Sequence, residues 1–66
     1  MVVIVNGESR QVPAGTSVRG LVELLGLGRA ACAVEVNQGL VRRAQHETTT
    51  LREGDRVEVV TLVGGG

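Results

Sequence analysis

Only one stretch of this chain has helical periodicity, and that limits what it can become. Val18, Leu21, Val22 and Leu25 recur at i, i+3, i+4 and i+7, whereas the other apolar residues come in short β-branched runs. One helix of about ten residues spans roughly 15 Å, the width of three or four strands. The fold must therefore be a small sheet with one face covered by that helix. Thr16 or Ser17 is placed to cap its N-terminus. Gly26 supplies the C-cap, with Leu27 as the apolar contact beyond it. Arg19 and Glu23 form an i, i+4 pair on the outer side. Gly20 is costly in a helix, and its missing side chain would let the helix approach the sheet closely.

The strands follow from alternation and turn chemistry. Met1–Val5 meets Asn6-Gly7, the strongest short hairpin signal, and Ser9–Val12 returns until Pro13 ends it. Ala33–Val36, the turn Asn37-Gln38-Gly39 and the short Leu40-Val41 form a second hairpin. Arg42 to Thr50 is polar and irregular, Leu51 anchors its end, and Glu53-Gly54-Asp55 is a tight turn. Arg56–Leu62 is the longest strand. With this order, β-β-α-β-β-β, a last strand lying parallel beside the first gives an α+β β-grasp: a mixed sheet of four to five strands around one main helix. The expected core is Val3, Val5, Val12, Val18, Leu21, Val22, Leu25, Val34, Val36, Leu51, Val57 and Val59. Residues 1–63 read as this one domain and 64–66 as a flexible C-terminal glycine tail.

Composition removes whole classes of function. The 66 residues contain no Phe, Tyr or Trp, so bases have no aromatic platform to stack on. Seven basic residues balance seven acidic ones, which leaves no electrostatic footprint for nucleic acid. All the basic residues are Arg, and without Lys the chain offers no ε-amine as a nucleophile or as an isopeptide acceptor. Cys32 is the lone cysteine, so no internal disulfide forms, and with His46 it falls short of a structural zinc set. No apolar run reaches membrane-helix length and no signal peptide is visible. A cytoplasmic setting, without membrane or nucleic-acid partners, is the expectation.

Chemistry concentrates at the end of the sequence. Val63-Gly64-Gly65-Gly66 follows the longest strand with no polar linker, and Gly66 is expected to carry a free carboxylate. Extended, these four residues reach about 13–14 Å, and glycines thread narrow channels in whatever conformation a channel imposes. A carboxylate is a poor electrophile until activated, for instance as an anhydride with AMP. The domain then reads as a handle whose terminus is the reacting group. Alternation leaves Ile4, Val60 and Leu62 outside, and adjacent first and last strands would gather them into an exposed apolar docking patch.

The residues resemble a family at this point. Ile4-Val5-Asn6-Gly7-Glu8, Gly15-Thr16-Ser17-Val18, Ala33-Val34-Glu35-Val36-Asn37, and Gly54-Asp55-Arg56-Val57-Glu58-Val59-Val60 running into the terminal glycines resemble the ThiS family of thiamine-pathway sulfur carriers along essentially the whole chain. The resemblance implies a ubiquitin-like β-grasp that is not itself an enzyme. It implies an E1-like adenylyltransferase (ThiF type) that uses ATP and Mg to adenylate Gly66. A cysteine-derived persulfide then converts the terminus to a thiocarboxylate, and thiazole synthase (ThiG type) consumes the sulfur in the thiazole ring of thiamine. No cofactor would be bound by the chain itself. Carried over, Gly66 bears the sulfur, while Gly65, Gly64, Val63, Leu62, Val60 and Ile4 meet the partner enzymes. The segment 42–50 lacks the Trp that many relatives carry there.

Other residues carry less. Cys32 reads as a small buried hydrophobe and His46 as a solvated loop residue, while Glu47, Glu53 and Asp55 are too loop-bound for paired-carboxylate catalysis. Gly26-Leu27-Gly28 follows a helix and is not a phosphate loop. Three other functions share the same outline: a sulfur carrier for molybdopterin synthesis, one for tRNA thiolation, and a ubiquitin-like protein modifier.

Overall fold

A computed structural model of the chain describes residues 1–62; Val63, Gly64, Gly65 and Gly66 lie outside the described residues, and with them the expected tail. The strands are β1 (Val2–Val5), β2 (Glu8–Gln11), β3 (Cys32–Val36), β4 (Gly39–Val41) and β5 (Arg56–Thr61), with one helix, α1 (Val18–Leu24), between β2 and β3. They form a five-stranded mixed sheet in the order β2-β1-β5-β3-β4. β1 and β5 are parallel, with Ile4 beside Arg56 and Val5 beside Val57. The other neighbours, β1–β2, β3–β4 and β3–β5, are antiparallel. This is the expected ubiquitin-like β-grasp, with the last strand at its centre.

Alternation places Val3 and Val5 of β1, Val34 of β3, and Val57 and Val59 of β5 on the face under α1. Val18, Leu21 and Val22 meet them from the helix, and Val12 and Leu51 close the ends. Leu25 and Val36, expected inside, are half-buried at its margin. β2 is exposed along its whole length, a short polar edge strand unsuited to pairing with another chain.

The helix has seven residues rather than about ten, because the chain stops it with a left-handed turn. Gly26 sits at φ +78°, its N–H bonds to Glu23 O, and Leu27 N–H reaches back to Val22 O, a Schellman motif that closes the last turn. Gly20 does not serve close approach to the sheet: a Cβ there would meet the side chains of Thr16 and Ser17. Among the first N–H groups, the orphans of any helix, Gly20 N–H bonds to the Ser17 hydroxyl at 3.0 Å, and Leu21 N–H to Ser17 O at 2.9 Å is the first intrahelical bond. Val18 N–H bonds to Thr49 O and Arg19 N–H to His46 O, both at 2.9 Å. The polar segment 42–50 is therefore the lid of the helix N-terminus, tied down further by the Ser17–Thr50 bridge. Ser17→Ala should cost about 0.5–2 kcal/mol, read as a lower urea midpoint with an unchanged m-value.

His46 departs from expectation for the same reason. It is 7% exposed, not solvated. A 3-10 turn, Arg43–Gln45, delivers it against the fold. Its Nε2 lies 3.0 Å from Val41 O. A carbonyl only accepts, so Nε2 carries the proton and ties this segment to the end of β4.

Candidate functional site

The end of β5 is the part of the described structure that residues 63–66 follow in sequence. Its backbone is held on both sides. Toward β3, Thr61 stands opposite Cys32 and Val60 opposite Ala33, and Leu62 N–H donates to Ala31 O at 2.8 Å. Toward β1 the ladder itself ends at Val5 and Val57, because Asn6-Gly7 turns the chain away with both residues at positive φ. Asn6 compensates with its side chain. Its Oδ1 accepts from Val59 N–H at 2.9 Å and its Nδ2 donates to Val59 O at 3.1 Å.

The outer face of the sheet, away from the helix, carries the exposed apolar residues. Val60 is 56% exposed and Leu62 57%. Ala33 stands directly opposite Val60 and extends this apolar end across to β3. Ile4 does not join them. The parallel register sets it beside Arg56, four residues before Val60, about 13 Å back along the strand, and it is half-buried. Adjacency of β1 and β5 was legible from the order of elements; their relative stagger was not. Leu40, 64% exposed and opposite Glu35, is a further outer-face apolar residue that the two-residue run Leu40-Val41 did not single out.

Next to the apolar end the face turns acidic. Glu35 and Glu58 stand directly opposite one another across β3 and β5, an arrangement that disfavours the isolated sheet. Within the described residues, the ion pair that forms is Arg19 to Glu23 at 3.2 Å, on the helix. Asp55 is structural: its carboxylate accepts from Arg52 N–H at 2.8 Å and from the Asn37 amide at 3.1 Å. Glu53 accepts from Val2 N–H at 2.9 Å.

Cys32 is half-buried at the start of β3 and packs against the core, with Sγ 3.6 Å from Ala30 O. It lines a recess of about 20 Å³ with Arg19, Val22, Arg43 and His46, room for about one water. No three His, Cys, Asp or Glu residues converge as a metal site among the described residues. No described helix is long and apolar enough to cross a membrane.

Comparison with known proteins gives a consistent result. The model of the ThiS family matches residues 3–66. The sulfur carrier protein ThiS of Escherichia coli K12 is 30% identical over 66 residues, covering the full length of both chains. A thiazole synthase of Magnetococcus marinus is 39% identical across the whole of this chain, which spans 20% of that protein's length. The crystal structure of the thiamine biosynthesis protein ThiS from Geobacter metallireducens superposes with a TM-score of 0.83 at 32% identity, over 100% of both chains.

Proposed function

The chain belongs to the ThiS family, and from that membership we propose that it is a sulfur carrier of thiamine biosynthesis, with the Gly66 carboxylate as the group that is loaded. An E1-like adenylyltransferase uses ATP and Mg to join that carboxylate to AMP, with pyrophosphate leaving. The outer sulfur of a cysteine-derived persulfide then displaces AMP to give an acyl disulfide. A second thiol reduces its S–S bond and becomes the disulfide in turn, and the thiocarboxylate so released is the sulfur donor for the thiazole ring. The domain's work in this reading is to be recognised and to present its end. Thiazole synthase is the favoured consumer, because a protein of that name contains a stretch similar to this entire chain.

The observation that carries the reading is the position of β5. The strand leading into the glycines is the central one of the sheet, paired on both sides, so a partner that grips the body fixes the origin of the tail. Val63, Gly64 and Gly65 then cross the enzyme's channel without bulk beyond the first of them. Intact mass after incubation with the adenylyltransferase, ATP and a persulfide source tests it: an oxygen-to-sulfur replacement at Gly66 is expected, and its absence from the wild-type chain overturns the reading. Capture of molybdopterin synthase in preference to thiazole synthase would redirect the sulfur to another client.

The docking surface follows from the outer face. Val60→Asp and Leu62→Asp alter exposed positions, so stability should move by no more than about 0.5 kcal/mol. Each should weaken capture by the adenylyltransferase by about tenfold or more, because apolar anchors dominate such interfaces. Ile4→Ser, about 13 Å from that end, should leave capture within about twofold. Titration of each variant against the partner enzyme by calorimetry distinguishes the three.

A further inference from the structure

The two hairpin turns of this fold do the same thing on opposite sides of one strand, one at its start and one further along. β1 is followed by Asn6 at φ +50° and β3 by Asn37 at φ +51°, a region that asparagine enters more readily than most residues. Each asparagine then turns its amide onto β5. Asn37 accepts from Arg56 N–H at 3.0 Å through Oδ1, while its own N–H donates to Arg56 O at 2.7 Å. Asn6 donates its backbone N–H to Val57 O at 2.9 Å and brackets both the N–H and the C=O of Val59 with its side chain. Asn37 thus fastens the start of the strand, and Asn6 fastens it two residues beyond the last β1 pairing.

The second attachment extends the hold on β5 past the end of the β1 ladder. Successive rungs on the β1 side of β5 are Asp55 O to Ile4 N–H, Val57 O to Asn6 N–H, and Val59 to the Asn6 side chain. The third rung is a side chain acting as a strand residue. It needs a donor and an acceptor at once, which an amide has and a carboxylate or hydroxyl of the same reach does not supply in that geometry. Glycine would satisfy the turn equally well, so the turn alone does not explain the residue.

We propose that Asn6 is a positioning residue for the transfer reaction: by holding Val59 it stops the end of β5 from fraying and so presents that end of the strand to the partner enzyme in one geometry. This rests on the sulfur-carrier reading. A strand end already held in place leaves less to be ordered when the enzyme grips it, and that pre-ordering appears as tighter productive capture. In this proposal Asn6 acts through Val59 and not on the carboxylate, so its contribution belongs in KM rather than in kcat.

Asn6→Gly is the clean test, since it keeps the positive φ without strain and removes only the amide. Hydrogen exchange is read at Val60 and Leu62, whose N–H groups face β3 and not Asn6; Glu58, earlier on the same side, is the internal reference. Exchange at Val60 and Leu62 should rise about tenfold over that at Glu58. With the adenylyltransferase, KM should rise about tenfold while kcat stays within about twofold. Asn37→Gly removes the corresponding amide at the far end and should leave both the exchange at Leu62 and KM unchanged. Unaltered exchange at Val60 and Leu62 in Asn6→Gly overturns the proposal, as does faster exchange with KM unmoved, or an equal rise of KM in Asn37→Gly. Failure of the wild-type chain to be adenylated at all is a separate result: it counts against the sulfur-carrier reading and so against any role for Asn6 in transfer, while the exchange measurement still decides whether Asn6 holds the strand.

Discussion

Removal of Gly65 and Gly66 should leave a folded domain that is never adenylated and never takes up sulfur. The expectation separates body from terminus. Among the described residues the last buried one is Val59 and the last backbone contact is Leu62 N–H to Ala31 O, so no described contact of the sheet is cut away. The shortened chain should therefore match the wild type in circular dichroism and melt within about 4 °C of it, since changes away from the core move stability by no more than about 0.5 kcal/mol. It should still compete with the wild type for the adenylyltransferase through Val60 and Leu62, while intact mass shows no oxygen-to-sulfur replacement. Sulfur uptake by the shortened chain would place the reacting group elsewhere. A collapse of stability would mean that the terminal residues belong to the body.

The opposite experiment leaves the terminus intact and empties the core. Leu21 is fully buried, on the helix face that meets β1, β3 and β5. Leu21→Ala removes its side chain from a centre built otherwise of valines and one leucine, with no aromatic ring to shift into the space. Such truncations cost about 2–5 kcal/mol, against a total for a chain of this length of roughly 3–10 kcal/mol. The midpoint of thermal unfolding should fall by at least about 10 °C, and the variant is expected to be partly unfolded at physiological temperature. Sulfur loading should fall in proportion to the folded fraction, because the partner must grip the body before it can act on the end. A variant that melts like the wild type would show that Leu21 is not the centre of this core. Full loading of an unfolded variant would show that the terminus suffices without its handle.

Much of the architecture was legible because it is written in local periodicity. The 3.6 spacing of Val18, Leu21 and Val22 and the alternation of Val3, Val5, Val57 and Val59 pointed to the residues that are buried together. Asn6-Gly7 and Gly26 named their turns, since few other residues tolerate φ above zero. What escaped was whatever depends on two segments meeting at a particular offset. His46 looked like a loop residue because nothing in its neighbours says that the segment folds over the first turn of α1. Ile4 looked like part of the Val60 and Leu62 patch because alternation gives the face of a strand residue but not its level. The amide of Asn6 was hidden behind the turn that the same residue explains so well.

The order of residues by itself determined the elements, the face each one buries and the glycine run that follows the last strand, because each of these is a property of a few neighbouring residues and their backbone freedom. The tertiary structure alone decided the stagger of β1 on β5, the burial of His46 and the grip of Asn6 on Val59, because each depends on hydrogen bonds between segments up to 53 residues apart. Such bonds exist only once the helix has been packed and the central strand inserted, and no local pattern encodes the offset at which they close.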